Sequence, residues 1–247
     1  MIHILGYPRS GNNWAMYMIE AMSGLPANSF GHEWRGHPPG VANTFGRRQN
    51  PDGIGSATGF RGETSCYKSH WVHDSTLAEG TKLITPIRNY KEAIVRHNEH
   101  RMDQIDGAFE EDSRAANDMR YPMGPSYGSI LNFWHEFPGE KLLLRYETMI
   151  LDRAMEARKV AKFCGFEDSV INDFCRNIDR HFERSVGLYE AGSFTKGRST
   201  VFHSDRLTKE QRLAWDKRMI LVWPHLIDPY LVDYLEPATR ESRCQLA

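Results

Sequence analysis

The apolar positions near the amino terminus predict one short strand followed by one helix. Residues 2–5 form a mainly apolar run typical of a buried strand. Four apolar side chains then recur at the spacing of a single helix face: Trp14, Met18, Ala21 and Met22. Gly24, followed by Pro26, predicts the end of this helix. Residues 6–13 therefore join a strand directly to a helix.

Further strands and helices alternate along the rest of the chain. Three short runs predict strands: residues 65–68, 82–85 and 141–145. Asn89 with Glu92 resembles a capping box, in which the cap and the third helical residue exchange hydrogen bonds. Thr208 and Gln211 form a second capping box. Helical spacing recurs at Tyr127, Ile130, Leu131 and Trp134, and the second capping box opens a predicted helix that carries Leu213, Trp215, Met219 and Val222.

Two stretches lack a sustained period and are predicted to be long loops. Residues 28–60 contain seven glycines and three prolines. Residues 103–128 are rich in acidic side chains and are expected to form a solvated, irregular excursion. The order of elements predicts a single α/β domain over residues 1–247, with a central parallel sheet flanked by helices. Ligand sites in such folds lie at the carboxyl ends of the strands.

Composition limits the kinds of binding partner and the cellular location that the sequence predicts for this protein. The 247 residues include 31 basic and 32 acidic side chains and carry a net charge of −1, which gives no reason to expect nucleic acid or an anionic membrane as a partner. The amino-terminal apolar run is too short for a signal peptide or a membrane span, and the four cysteines form no disulfide framework. We therefore expect a cytoplasmic protein; a homodimer is one of the assemblies left open.

The connection from strand to helix, GYPRSGNNW, has the glycine spacing of a phosphate-binding loop but lacks its usual chemistry. Gly6 and Gly11 match G-x-x-x-x-G-K-[ST], whereas Asn12 and Asn13 replace the lysine and the Mg²⁺-binding hydroxyl. Backbone N–H groups and the helix dipole still favour an anion here, and Arg9 adds a fixed charge. A sulfuryl group on a phosphosulfate anhydride fits, because it carries less charge than a γ-phosphate. A tight turn without a ligand is the alternative.

Residues 7–14 resemble the 5′-phosphosulfate loop, Y-P-K-S-G-T-T-W, of sulfotransferases that use 3′-phosphoadenosine 5′-phosphosulfate (PAPS). The resemblance implies that PAPS is the sulfuryl donor, that adenosine 3′,5′-bisphosphate (PAP) is the product, and that no metal is needed. It implies donor contacts from these side chains or backbone groups: Arg9, Ser10, Gly11, Asn12, Asn13 and Trp14. The tryptophan stacks on adenine in the family, although a tryptophan at this position is by itself more often a core residue.

Two other segments resemble the family's 3′-phosphate site. Residues 86–96 are similar to R-N-P-K-D-x-x-x-S, which implies that Arg88 binds the phosphate and places Arg96 at the serine position. Residues 194–198 are similar to a late R-K-G segment that closes over the same phosphate, through Lys196, Gly197 and Arg198. A solvated helix-face arginine and a charged surface turn are the respective alternatives.

The catalytic residues implied by the resemblance follow the second predicted strand. Tyr67-Lys68-Ser69-His70 is similar to K-[ST]-H, in which the histidine takes the acceptor's proton. The resemblance thus implies His70 as base, with Lys68 and Arg9 as the cations that meet the developing charge. A structural histidine is the alternative. Tyr146 follows a strand in a Y-E-T segment similar to Y-E-D, and the resemblance implies that it contacts adenine; a half-buried tyrosine at a strand end is the alternative.

The sequence therefore predicts a PAPS-dependent sulfotransferase that acts on a hydroxyl or amine of a small-molecule acceptor. A catalytically silent nucleotide-binding protein and a metal-dependent small-molecule kinase remain alternatives. The acceptor is expected among the two predicted loops, where five aromatic side chains would line a pocket: Trp34, Phe45, Phe60, Phe109 and Tyr121.

Overall fold

Five parallel strands form a single sheet in the order β2-β3-β1-β4-β5. The structure is a computed structural model that describes residues 1–25, 27–29, 65–70, 80–114, 126–190 and 203–244. The strands are β1 (Ile2–Leu5), β2 (Asn28–Ser29), β3 (Tyr67–Ser69), β4 (Lys82–Ile87) and β5 (Lys141–Arg145). The predicted parallel sheet is thus confirmed. Its strand order reverses at β1, the point where open α/β sheets bind ligands.

Helices cover both faces of this sheet, as the sequence predicts. Ile4 of β1 lies in one hydrophobic cluster and its neighbour Leu5 lies in another; Ile84 and Leu83 of β4 divide between the same two clusters. Successive strand side chains point to opposite faces, so two separate cores are buried by one sheet.

The helices of the described chain have the following bounds: α1 (Asn12–Ser23), α2 (Tyr90–His97), α3 (Ile105–Asp112), α4 (Tyr127–Glu136), α5 (Tyr146–Leu151), α6 (Arg153–Cys164), α7 (Asp168–Arg176), α8 (Ile178–Glu190), α9 (Lys209–Val222), α10 (Pro224–Leu226) and α11 (Pro237–Cys244). Short 3₁₀ helices occupy Glu99–Gln104, His203–Arg206 and Val232–Tyr234, and a π-helix occupies Ile227–Leu231. None of the helices described is long and apolar enough to cross a bilayer.

Several predicted boundaries agree closely with the structure. The first helix ends at Gly24, whose φ of 68° is the left-handed conformation that glycine adopts without strain. The capping box of Thr208 and Gln211 is present at the start of α9. The second predicted strand is displaced, from residues 65–68 to Tyr67–Ser69, and β2 forms within the predicted loop of residues 28–60.

The prediction of an irregular, solvated stretch over residues 103–128 is wrong for its first part. Four side chains of α3 are buried at i, i+3, i+4 and i+7: Ile105, Ala108, Phe109 and Asp112. This helical spacing is masked in the sequence by the acidic residues between them. Phe109 is 2% exposed and stacks on Trp215 at 4.2 Å between ring centroids, so it belongs to the core instead of an acceptor pocket.

A buried ion pair joins α2 to the carboxyl-terminal helices. The Nζ atom of Lys91 lies 2.5 Å from Asp216 Oδ1 and donates to the Tyr234 carbonyl at 2.8 Å. Asp216 also accepts hydrogen bonds from the Tyr90 hydroxyl and from the Glu236 backbone N–H. The Lys91 ammonium also lies 3.3 Å from Glu236 Oε1, so both members of the pair have several hydrogen-bonding partners, which is the condition under which a buried charge is tolerated.

We predict that Asp216→Ala lowers the free energy of unfolding by about 3 kcal/mol, because the buried Lys91 ammonium then keeps only the more distant and partly exposed carboxylate of Glu236, at 3.3 Å. Urea unfolding measures this change. The matched control is Asp173→Ala, which breaks the exposed Arg176–Asp173 pair and is expected to change stability by less than about 0.5 kcal/mol. Equal effects of the two substitutions would contradict the role assigned to the buried pair.

Candidate active site

The loop between β1 and α1 turns through two left-handed residues. Arg9 has a φ of 69° and Gly11 a φ of 97°. A Cβ atom on Gly11 would lie 2.5 Å from Met149 Cε and 3.1 Å from Tyr146 Cδ2. Gly11 therefore permits both the turn and the close approach of α5, whereas Arg9 adopts a conformation that costs a non-glycine residue energy. Strain of this kind is characteristic of ligand-binding segments.

The two asparagines that replace the usual loop residues have different roles. Asn12 Nδ2 donates to the Tyr7 carbonyl at 2.7 Å and so ties the loop to itself. Its side chain occupies space above Gly6, where a Cβ atom would lie 2.1 Å from Asn12 Oδ1. Asn13 Oδ1 instead accepts a hydrogen bond from Lys68 Nζ at 3.1 Å. Asn13 therefore connects the loop to the end of β3.

Polar atoms without partners concentrate in this loop. Within the described part of the chain, three buried atoms of the segment form no hydrogen bond: Ser10 Oγ, Asn12 Oδ1 and Trp14 Nε1. The first N–H groups of α1 also have no partner within their own helix. Buried polar groups in folded proteins are almost always paired. Of these atoms, Ser10 Oγ can donate to a ligand, and together with the N–H groups of the helix amino terminus and a nearby cation it fits an anion. Asn12 Oδ1 can only accept and is not part of that donor set.

Lys68 brings a second cation to the loop. It is 8% exposed, and no carboxylate lies within ion-pair distance of it in the residues described. Burial, and then the charge of Arg9, lower the pKa of Lys68 to about 8. The ammonium is therefore charged but poorly solvated at neutral pH, a state that a bound anion would stabilise.

His70, immediately after β3, is fixed on the opposite side of the loop. Its Nδ1 atom lies 2.6 Å from the Gly6 carbonyl oxygen, which can only accept, so the neutral ring carries its proton on Nδ1 and its lone pair on Nε2. Burial, followed by the charge of Lys68, lowers the pKa of His70 to about 3, with smaller effects from His97 and Arg9. The imidazole is thus neutral in the free protein and has the tautomer required of a base.

Arg88 connects this loop to the carboxyl end of β4. Its Nη1 atom donates to the Arg9 carbonyl at 3.4 Å, and its Cζ atom lies 4.4 Å from the centroid of the Tyr146 ring. Tyr146 begins α5 directly after β5 and also faces Gly11. The structure therefore brings Arg9, Arg88 and Tyr146 together from three neighbouring strand ends.

The start of α2 differs from the predicted capping box. Asn89 does cap the helix, accepting a hydrogen bond from the Lys91 N–H at 3.0 Å. The Asn89 N–H, however, donates to Glu147 Oε1 at 3.0 Å, while Glu92 bonds to residues far along the chain. The predicted hydrogen bond from the Asn89 N–H to Glu92 is therefore wrong, because Glu147 of α5 accepts from that N–H instead.

Trp14 lies in the core beneath the loop. It is 5% exposed and contacts three aromatic rings, those of Tyr17, Phe174 and Phe182, at centroid distances of 5.7, 6.2 and 5.2 Å. Its expected stacking on adenine stays a prediction, and it would require neighbouring side chains to move.

Of the remaining predicted site residues, the structure describes Arg96 but not residues 196–198 or most of the aromatic side chains of the acceptor pocket. Arg96 is half-buried in the last turn of α2, four residues after Glu92. Lys196, Gly197 and Arg198 lie outside the described residues, as do four of the aromatic side chains proposed for the acceptor pocket: Trp34, Phe45, Phe60 and Tyr121.

Two side chains that contact Tyr7 of the loop, Asp112 and His97, were not predicted from the sequence. The Tyr7 hydroxyl donates to Asp112 Oδ2 at 2.5 Å, and burial raises the pKa of Asp112 to about 7. The Tyr7 ring also meets His97 edge-on, with the ring centroids 5.6 Å apart. Only the spacing of α3 signals that Asp112 points inward, and no pattern in the sequence marks His97.

Comparisons with known proteins point to one family and one fold. The family model described as "Sulfotransferase domain" matches residues 63–220. A mouse sulfotransferase, SULT7A1, solved with PAP, has a TM-score of 0.57 at 16% identity, covering 90% of this chain and 84% of its own. Retinol dehydratase solved with retinol and PAP has a TM-score of 0.59 at 14% identity, and the match covers 92% of this chain and 81% of that chain. Retinol dehydratase solved with androsterone and PAP has a TM-score of 0.55 at 14% identity, and the match covers 92% of this chain and 80% of that chain. No curated protein matches the sequence significantly. The structural likenesses show the fold.

We predict that Lys68→Met raises the free energy of unfolding at pH 7, by about 1–3 kcal/mol, because it removes a desolvated ammonium. The lysine titrates near pH 8 when folded and near 10.5 when unfolded, so its cost is complete below pH 8 and disappears as the pH rises toward 10.5. The gain should therefore shrink across that window in urea unfolding. The control, Lys91→Met, strips a buried carboxylate of its partner and should destabilise the protein. Destabilisation by Lys68→Met at pH 7 would contradict the prediction.

Proposed function

Since this chain belongs to the family of proteins with a sulfotransferase domain, we propose that it transfers the sulfuryl group of PAPS to a hydroxyl or amine of a small molecule. Family membership makes it a sulfotransferase, and hence a transferase that moves a sulfuryl group. The proposal adds the donor, the base and the acceptor class. One observation carries it: Lys68 and His70, two residues apart at the end of β3, contact opposite ends of the same anion-binding loop.

The loop and its neighbours fit the donor. The 5′-phosphosulfate would be held by the N–H groups at the start of α1 together with Ser10, Asn13 and Arg9, and Gly11 lets the backbone come close. Arg88 and Arg96 would face the 3′-phosphate, and Tyr146 and Trp14 the adenine. Lys196, Gly197 and Arg198 stay part of this proposal on the resemblance alone. PAPS supplies the sulfuryl group and leaves as PAP. The structures solved with PAP support this choice of nucleotide.

His70 would remove the acceptor's proton as the acceptor oxygen or nitrogen bonds to sulfur. The Gly6 carbonyl fixes the Nδ1 proton, so Nε2 is the atom that accepts. The imidazolium that forms would lie near Lys68 and Arg9, two cations that lower the pKa of His70 in the free protein. A bound phosphosulfate offsets these charges, so the base strengthens when the donor is present.

Arg9 and Lys68 would stabilise the negative charge that grows on the departing PAP oxygen. Asn13 keeps the Lys68 ammonium at the loop, and Asn12 keeps the loop closed on itself. Such preorganised donors typically contribute about 3–4 kcal/mol each to the transition state. Side-chain cations thereby take the place of a divalent ion, so that Mg²⁺ dependence is not expected.

The acceptor is proposed to be a small hydroxylated or amino-bearing molecule. Retinol and androsterone are bound in the structures of retinol dehydratase, which supports a small-molecule class without identifying this chain's acceptor. A cytoplasmic location and the absence of nucleic-acid and membrane partners are retained from the sequence, and a homodimer stays open.

Transfer from ³⁵S-labelled PAPS to pooled small molecules, with and without EDTA, tests the donor, the acceptor class and the metal requirement together. Label incorporated with EDTA present supports the proposal. Binding of PAP without transfer to any acceptor would favour a catalytically silent protein, and activity with ATP and Mg²⁺ would favour a kinase.

We predict that His70→Ala lowers kcat by about 10²–10⁴-fold, because the acceptor then loses its base. PAP affinity, measured by calorimetry, should change less than about threefold, since the hydrogen bond of His70 to the loop ends on the Gly6 carbonyl, which is not among the groups proposed to bind the nucleotide. His225→Ala is the matched control: His225 bonds to Asn132 away from the loop, and its loss should leave kcat unaltered. A comparable loss of PAP affinity in His70→Ala would assign His70 to structure instead of catalysis.

We predict that kcat/KM for the donor is constant from about pH 5 to 7 and falls about tenfold per pH unit above pH 8. His70, with a pKa of about 3, is already neutral in this range, whereas Lys68, with a pKa of about 8, loses its charge above it. Lys68→Arg should move the alkaline limb upward, because a guanidinium stays protonated. An acidic limb near pH 6.5 would indicate a base with an unperturbed imidazole pKa.

A further inference from the structure

A carboxylate stands between the two cations proposed for the 3′-phosphate. Arg88, Glu92 and Arg96 follow one another at intervals of four residues, so they lie along one side of α2 and its start. Glu92 is buried with only 3% of its surface exposed. A buried negative charge beside a phosphate opposes binding, so its presence here requires an explanation.

The hydrogen bonds of Glu92 supply that explanation. Oε2 accepts from the His203 N–H at 2.8 Å, and Oε1 accepts from the Ser204 N–H at 2.9 Å and from the Ser204 hydroxyl. Oε2 also lies 3.6 Å from Arg88 Nη2. Both oxygens are therefore committed, and one side chain joins the start of α2 to the 3₁₀ helix His203–Arg206.

The cations meet at the same place. Arg88 contacts both Glu92 and the Arg9 carbonyl in the loop between β1 and α1, and its guanidinium lies over the ring of Tyr146. Arg96 lies one helical turn after Glu92 on α2, and its charge, after burial, lowers the pKa of His203. Of the two cations, Arg88 is the one that Glu92 contacts directly in the described residues.

We propose that Glu92, itself held by residues 203–204, is a positioning residue that fixes Arg88 for recognition of the 3′-phosphate; this inference rests on the proposed function. The contrary view, that Glu92 only competes with phosphate for Arg88, predicts tighter binding when its charge is removed. Because its oxygens are occupied by N–H and O–H donors, removing the charge instead frees those buried groups and the guanidinium. Binding is then weakened.

Calorimetry with two nucleotides isolates this effect, since adenosine 3′,5′-bisphosphate and adenosine 5′-monophosphate differ only in the 3′-phosphate. Glu92→Gln should weaken bisphosphate binding about tenfold and monophosphate binding less than about threefold. The matched control, Glu140→Gln, also removes a glutamate from an ion pair, but with Lys82 at the amino end of β4. It should leave both affinities unchanged.

Tighter bisphosphate binding, an equal loss for both nucleotides, or no change in Glu92→Gln would each overturn the inference. Should Glu92→Gln fail to fold, Ser204→Ala removes only one hydroxyl from the cluster and should shift the same ratio about threefold; an unchanged ratio there would overturn the inference as well. A wild-type protein that shows no preference for the bisphosphate would defeat the proposed function itself, which is visible before any variant is compared.

Discussion

Concentration of positive charge at the carboxyl ends of β1 and β3 is the constraint on which the site depends. Arg9 and the buried Lys68 lie close enough for the first to lower the pKa of the second. The same two charges also lower the pKa of His70. Without an anion these groups repel one another in a poorly solvated place. A bound phosphosulfate would relieve the cations and strengthen the base in one step, so that binding the donor prepares the chemistry.

The carboxylates near the site form hydrogen bonds that hold its segments in place, and none of the described ones forms an ion pair with Lys68. Asp112 accepts a hydrogen bond from Tyr7, below the loop, and Glu147 accepts from the Asn89 N–H and from the Tyr234 hydroxyl. Glu92 accepts from the backbone of residues 203–204. Each carboxylate thus accepts hydrogen bonds from neutral donors, Glu92 with Arg88 as an additional partner, and each connects a segment near the site to residues far along the chain. Rigid support of this kind keeps a binding constellation close to its working geometry.

The sequence predicts those parts of the fold whose signals are local. The β1–α1 unit, strand Lys141–Arg145 and the Thr208 cap of α9 follow from periodicity and capping, and the structure contains them. Long-range choices are not predictable in this way. Whether Asn89 receives its hydrogen bond from Glu92 or from Glu147 depends on where β5 ends in space, and the burial of Asp112 depends on where Tyr7 lies. Motifs thus located the candidate side chains, whereas tertiary packing determined which of them touch.

The position of β1 in the middle of the sheet affects how the protein is made. Its partners on either side, β3 and β4, begin at residues 67 and 82, so the ribosome must add over sixty residues before β1 can pair with β3. At about 5–20 residues per second this takes roughly 3–12 seconds. During that interval β1 is an apolar segment without a sheet to join, exposed to aggregation and to chaperones. The loop proposed to bind the donor therefore acquires its shape only after β3 and β4, which follow it in the chain, have been synthesised.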